Sequence, residues 1–192
     1  EEHQVTVDGE YSKLEEPFVV IATQNPIETA GTYQLPEAQL DRFLMKINMG
    51  YPEKDDEVLI LNRFLTSNPE ITLEKVATCE DVIAMKEDAK NVYIHPVLIE
   101  YIVELARMTR NEENVLTGVS PRGTLGMLNA ARAYAYVSGR DYVVPEDIKI
   151  LAPYVWAHRL VLQTGFMNRD NKEQIIGNVV SKTAVPTEDW NR

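Results

Sequence analysis

Alternating apolar and polar residues open the chain and predict a β-hairpin. Residues 4–7 alternate and end at Asp8-Gly9, a dipeptide that favours a tight two-residue turn. A second strand is predicted near residues 10–14. The continuous apolar and β-branched run at 18–22 then predicts a strand that is buried on both faces.

The pattern becomes helical after residue 50. A short helix at 36–43 and a strand at 45–49 complete the β-rich part, and Gly50-Tyr51-Pro52 is typical of a hinge. Apolar residues then recur at helical spacing. The predicted helices cover 53–65, 82–88 behind a Thr78–Asp81 capping box, 96–110, a segment opened by Ser120-Pro121, 145–162 and 173–180.

These elements predict an α+β protein that is mainly α. A small piece with a hairpin and two strands comes first, and a helical bundle follows. Two short β-like runs inside the bundle, at 92–94 and 142–144, are expected to pair.

Composition narrows the function classes. The 192 residues carry 30 acidic and 19 basic side chains, a net charge of −11, which disfavours binding to nucleic acid. Cys79 is the only cysteine, and the three histidines share no metal-ligand spacing, so no metal site is predicted. We expect no membrane insertion, no signal peptide and a reducing cytoplasm. Because the chain begins with Glu1 inside a predicted strand, we interpret it as a fragment or a partly ordered chain.

Three residues are candidates for chemistry on a phosphate. Asn25 follows the predicted buried strand, at the strand end where ligands bind in α/β sheets, and its side-chain amide is able to orient a water molecule. The alternative is that Asn25-Pro26 only starts a turn. Arg42 lies on a predicted short helix. It is either an arginine finger that neutralises charge on a phosphate or a surface arginine near an acid. Arg122 falls in the first turn of a predicted helix, where its positive charge opposes the helix dipole. It either forms an anion-binding pocket with the free N–H groups of that turn or is an exposed arginine that the helix tolerates.

Other catalytic motifs do not fit the sequence. Residues 118–123 have the glycine spacing of a P-loop, but Thr124 stands where lysine is required and Pro121 removes an N–H group. No apolar strand ends in an acidic pair that would hold Mg²⁺, and no G-x-S-x-G motif occurs.

The order of these segments is more specific than any one of them. The runs that carry it are PFVVIATQNPIE (17–28), LPEAQLDRFLM (35–45), GVSPRG (118–123) and VPEDI (144–148). Together they resemble the MoxR family of AAA+ ATPases over about residues 4–165.

The resemblance implies a role for each candidate. Asn25 matches sensor 1, Arg42 matches the arginine finger that serves a neighbouring subunit, and Arg122 matches the sensor 2 arginine of the lid. The resemblance also implies ATP and Mg²⁺, a homo-oligomeric ring that is commonly a hexamer, and protein clients, often with von Willebrand factor A domains. Such proteins act as chaperones that mature or remodel their partners.

The resemblance further implies a truncated AAA+ core followed by a lid. Residues 1–51 would form the end of the core, with the pre-sensor hairpin, the sensor 1 strand and the finger helix. Residues 52–165 would form the helical lid, and 166–192 a polar tail with one helix. In this family the P-loop lysine and the acidic strand lie upstream, so we expect this chain alone to be inactive. A non-catalytic interaction module and a magnesium-chelatase-type ATPase remain alternatives.

Overall fold

The computed structural model describes residues 4–24, 35–66, 73–163 and 169–186. Helices dominate this described part, in agreement with the prediction of a mainly α protein. Its α-helices are α1 (Glu37–Leu40), α2 (Lys54–Thr66), α3 (Cys79–Asn91), α4 (Pro96–Arg110), α5 (Pro121–Val137), α6 (Pro145–Trp156) and α7 (Arg169–Lys182). Its strands are β1 (Gln4–Val7), β2 (Glu10–Lys13), β3 (Val115–Thr117) and β4 (Val161–Leu162).

The N-terminal hairpin forms as predicted. β1 and β2 pair antiparallel, with Val7 opposite Glu10. Both turn residues have positive φ, 51° at Asp8 and 85° at Gly9. Positive φ at both central positions is what a type I′ turn requires, and its twist matches that of the two strands.

The two further strands predicted in this part are wrong. Residues 18–22 form no strand, and Ile21 is 85% exposed. A strand that is buried on both faces needs neighbouring strands, and the described part of the chain supplies none for this run. Residues 45–49 also form no strand. The Lys46 N–H donates to the Tyr154 carbonyl of α6 at 2.9 Å, so this segment is tied to a helix at that point.

Local capping signals place the starts of the bundle helices. The Thr78 side chain accepts from the Asp81 N–H at 3.1 Å, and the Asp81 carboxylate accepts from the Thr78 N–H at 2.8 Å. This reciprocal capping box starts α3 three residues before the predicted 82–88 segment. Ser120 caps α5 and Pro121 follows at its first position, as predicted.

One apolar core joins α4, α5, α6 and α7. The predicted helix at 173–180 is confirmed within the longer α7, whose Ile176 and Val179 are fully buried. The largest fully buried side chains include Leu98, Leu105, Met127, Ile148, Leu160 and Trp156. By contrast, the described side chains of α2 are all exposed.

The end of α6 differs from the prediction. The helix that was expected to reach residue 162 ends at Trp156 and continues as a 3₁₀ turn over Ala157–Arg159. Val161 and Leu162 then pair with β3 as β4. A short apolar run fits a helix, a 3₁₀ turn or a strand equally well, so periodicity alone does not locate this change.

The two short runs that were expected to pair inside the bundle meet in a single parallel bridge. The Tyr93 N–H donates to the Asp141 carbonyl at 2.8 Å, and the Val143 N–H donates to the Tyr93 carbonyl at 2.9 Å. This bridge ties the end of α3 to the start of α6. No helix in the described ranges is both long enough and apolar enough to cross a bilayer.

Candidate functional site

One contact joins the segments that carry two of the three candidate residues. Asn25 lies outside the described residues. The helix that was expected over 36–43 ends at Leu40, so Arg42 lies two residues beyond α1 and not on it, and it is exposed. Arg122 occupies the first turn of α5. The side chain that connects the two regions is Asp41, the residue before Arg42.

The N-terminus of α5 forms one wall of this region. The Ser120 hydroxyl accepts from the Gly123 N–H at 3.2 Å and so satisfies one of the free donors of the first turn. Pro121 has no N–H group to satisfy. The positive end of the helix dipole and the Arg122 guanidinium together make this end of α5 favourable for an anion.

Asp41 is the anion that the structure places there. Its Oδ2 lies 3.4 Å from Arg122 Nη1, and the Ser120 hydroxyl donates toward both carboxylate oxygens at 3.2 Å. Its Oδ1 accepts from Arg159 Nη1 at 2.7 Å. One carboxylate therefore contacts two arginines and a helix cap, from positions up to 118 residues apart in sequence.

Arg159 is a buried arginine, with only 2% of its side chain exposed. Besides the Asp41 carboxylate, its guanidinium donates to four backbone carbonyls. These are the carbonyls of Val155 at 2.8 Å, Phe43 at 2.7 Å, Leu44 at 3.4 Å, and Asp41. A buried charge is tolerated when it is paired and its donors are satisfied, and both conditions hold here.

The charge state of Asp41 follows from these contacts. Partial burial acts to raise the pKa of Asp41. The hydrogen bond and positive charge of Arg159 act against it, with hydrogen bonds from Ser120 and Arg122, and together they hold the pKa of Asp41 below its ordinary value. Asp41 is therefore a carboxylate at neutral pH.

A glycine on α5 makes room for Arg159. A Cβ atom on Gly123 would lie 2.7 Å from Val119 Cγ1 and 3.1 Å from Arg159 Cδ, closer than ordinary contacts allow. The Gly123 carbonyl also accepts from the indole N–H of the buried Trp156 at 2.9 Å. The first turn of α5 is thus packed directly against the end of α6.

His158 makes a second contact to the segment that carries Arg42. Its Nε2 lies 3.2 Å from the Phe43 carbonyl. Burial lowers the pKa of His158, and the nearby charges of Arg159 and Lys46 lower it further, whereas the hydrogen bond to Phe43 acts to raise it. The net direction is downward, so His158 is neutral at pH 7 and Nε2–H donates to the carbonyl.

Sequence reasoning did not identify Asp41 and Arg159 as parts of this site. Asp41 was noted only as an acid near Arg42. The sequence around Arg159 gives one indication of its role: it is a single arginine in the mostly apolar run from Val155 to Leu162. Such a residue needs a buried partner, but sequence does not say which of the 30 acids supplies it.

Comparisons with known proteins agree with this architecture. Residues 1–45 match the "ATPase family associated with various cellular activities (AAA)", and residues 107–179 match the "AAA lid domain". A crystal structure of a proposed ATPase from Cytophaga hutchinsonii matches this fold with a TM-score of 0.86 at 34% identity. The match covers 97% of this chain and 59% of that one. Fold and matches together define an AAA+ protein with a helical lid.

The curated relatives make the assignment narrower. YeaC of Bacillus subtilis is 45% identical over 189 residues, and chaperone MoxR1 of Mycobacterium tuberculosis is 39% identical over 196 residues. The chain belongs to the MoxR family of AAA+ ATPases, which confirms the resemblance and favours it over a magnesium-chelatase-type protein. The matches cover 98% and 97% of this chain but 59% and 52% of the two relatives, so the chain spans little more than half of their length.

Proposed function

We propose that this chain is the C-terminal part of a MoxR-type ring ATPase that uses ATP hydrolysis to mature or remodel partner proteins. The observation that carries the proposal is the Asp41 contact, which brings the Arg42 segment and the Arg122 turn of the lid together. Family membership supports the ATPase, and the relative from Mycobacterium tuberculosis that is named a chaperone supports the work on proteins.

In this proposal each arginine acts on a different part of the reaction. Arg122, at the positive end of α5, binds a phosphate oxygen of ATP and reports the nucleotide state as sensor 2. Arg42 is exposed, and it reaches the nucleotide of a neighbouring subunit as an arginine finger. Such a finger neutralises charge that develops on the transferred phosphoryl group, and it is worth about 10³ to 10⁵ in rate.

Asn25 is proposed as the sensor 1 residue that orients the attacking water. Mg²⁺, when bound with ATP, neutralises charge on the β- and γ-phosphate oxygens. The sequence contains neither a G-x-x-x-x-G-K-[ST] motif nor an uninterrupted apolar, β-branched run that ends in two acids. We therefore propose that residues 1–51 are the end of a truncated AAA+ core, and that this chain alone does not turn over ATP.

The assembly is proposed to be a homo-oligomeric ring, with a hexamer as the leading form. Proteins with von Willebrand factor A domains are the proposed clients. A non-catalytic interaction module is the competing function. It predicts that the intact protein of unchanged sequence assembles but hydrolyses no ATP, and the following assay measures this.

The test is an ATPase assay on the intact protein carrying Arg42→Ala. A finger that works in trans is needed for turnover and not for nucleotide binding, so we expect ATP binding to persist and hydrolysis to fall by orders of magnitude. Mixing Arg42→Ala subunits with subunits that lack the P-loop lysine should restore part of the activity. At a mixed interface, one subunit supplies the working pocket and its neighbour supplies the arginine.

Assembly of each variant is checked by size-exclusion chromatography. A purely structural Arg42 predicts lost assembly and no recovery on mixing. Well-assembled Arg42→Ala rings with near-normal turnover would remove Arg42 from the site. A well-assembled intact protein of unchanged sequence that hydrolyses no ATP would favour the interaction module.

A further inference from the structure

We propose that Asp41 couples the sensor 2 arginine to the arginine finger. In this proposal Asp41 holds Arg122 when no nucleotide is bound, ATP displaces it from Arg122, and the change reaches Arg42 through the segment that Arg159 clamps. The inference rests on the proposed roles of Arg42 and Arg122. Asp41 is a positioning residue here, because it acts through the two arginines and not on the substrate.

The clamp on the Arg42 backbone is the first step. Arg159 donates to the carbonyls of Asp41, Phe43 and Leu44, which lie on both sides of Arg42. His158 adds a contact to the Phe43 carbonyl at 3.2 Å. The backbone that carries the finger is therefore fixed to the 3₁₀ turn that follows α6, and the Arg42 side chain remains exposed.

The second step is the difference between the two arginines that share Asp41. Arg159 Nη1 lies 2.7 Å from Oδ1 with 2% of its side chain exposed, whereas Arg122 Nη1 lies 3.4 Å from Oδ2 with 45% of its side chain exposed. A long, exposed ion pair changes an equilibrium constant by at most about fivefold. The contact with Arg159 is thus the lasting one, and the contact with Arg122 is open to exchange.

The third step is competition with ATP. A phosphate oxygen makes short, charge-assisted hydrogen bonds to a guanidinium, and these are stronger than the 3.4 Å contact seen here. The Ser120 hydroxyl also donates to Asp41 from the helix cap beside Arg122. When Arg122 turns to a phosphate, Asp41 loses one of its three side-chain partners, and the tie between the finger segment and α5 weakens.

The test measures ATP affinity and turnover in the intact protein with Asp41→Asn. Asparagine keeps the shape and an oxygen acceptor for Arg159 but loses the charge that competes for Arg122. We expect a slowly hydrolysed ATP analogue with Mg²⁺ to bind about two- to fivefold more tightly. We also expect turnover to fall, because a neutral amide holds Arg159, whose guanidinium clamps the finger segment, less strongly than the carboxylate does. Damage to folding would weaken binding, so a gain in affinity with a loss of rate identifies the coupling.

A double variant tests whether the gain passes through Arg122. In an Arg122→Ala background, Asp41→Asn should no longer tighten binding, since the competing pair is already absent. A gain that persists in this background would overturn the proposal. If Asp41→Asn does not assemble, Asp41→Ser gives the same prediction, because its side chain also carries no charge that competes for Arg122.

The matched control is Asp147→Asn at the other end of the bundle. Asp147 is also a carboxylate bound by an arginine, with Arg140 Nη1 and Nη2 at 2.8 and 2.6 Å, and its side chain is 2% exposed. This change should lower the melting temperature and leave the affinity for the analogue unchanged. An Asp147→Asn variant that also tightens binding would mean that the effect at Asp41 is a general loss of charge.

Two results separate this inference from the proposed function. If Arg122→Ala alone leaves the affinity for the analogue unchanged, the sensor 2 assignment is wrong and the coupling falls with it. If Arg122→Ala weakens binding but Asp41→Asn does not tighten it, the coupling is wrong and the proposed function stands.

Discussion

Replacing Gly123 by alanine tests the packing that brings Arg159 to Asp41. The added Cβ atom would lie 2.7 Å from Val119 Cγ1 and 3.1 Å from Arg159 Cδ. Val119 is 1% exposed, so it has little room to move away. Forcing an extra carbon into a packed site costs about 1 to 3 kcal/mol. Alanine gains up to about 1 kcal/mol over glycine in a helix, and less in a first turn. With a gain of about 0.5 kcal/mol in the first turn, we expect a net loss of about 0.5 to 2.5 kcal/mol.

The matched control for this change is Gly177→Ala in α7. Apart from the backbone of α7 itself, no atom of the described residues lies within 4 Å of the Cβ that this substitution adds, so only the helical preference of alanine remains. We expect a gain of about 0.5 to 1 kcal/mol. The two substitutions add the same methyl group to helical glycines, yet they should shift stability in opposite directions.

The assay is urea unfolding of each variant, followed by far-ultraviolet circular dichroism. If the slope of the unfolding free energy against urea concentration is unchanged, a shift in the midpoint reports a change in stability and not a change in the surface exposed on unfolding. If Gly123→Ala stabilises the chain as much as Gly177→Ala does, then Arg159 does not cross the first turn of α5 as described.

Two further predictions concern the division of the chain and its response to pH. Limited proteolysis should cut near Tyr51-Pro52 and release the helical part that follows residue 52, with α7 still attached, as the more stable part. Survival of residues 1–50 with digestion of the bundle would contradict the proposed division. Below pH 6.5, the ordinary pKa of histidine, the unfolded chain binds a proton at His158 more readily than the folded chain, whose His158 pKa is lowered. Stability should therefore fall from pH 6.5 down to that lowered pKa, and His158→Gln should remove this slope in urea unfolding measured from pH 7.5 to pH 5.

The sequence by itself determined the features that depend on a few neighbouring residues. The Asp8-Gly9 turn, the Thr78 capping box and the Ser120-Pro121 start of α5 formed where they were predicted. Each of these needs only the conformational preference of one residue or a hydrogen bond across three residues, so the information is local. The order of four short segments was also enough to identify the family.

Only the tertiary structure decided which distant residues meet. Arg159 and Asp41 are 118 residues apart, and nothing in either segment names the other. The run at 18–22 has the composition of a buried strand but forms none, because a strand depends on neighbours that its own residues do not specify. Pairing of this kind is set by how the helices pack around the shared core, and that packing places the Arg42 segment beside Arg122.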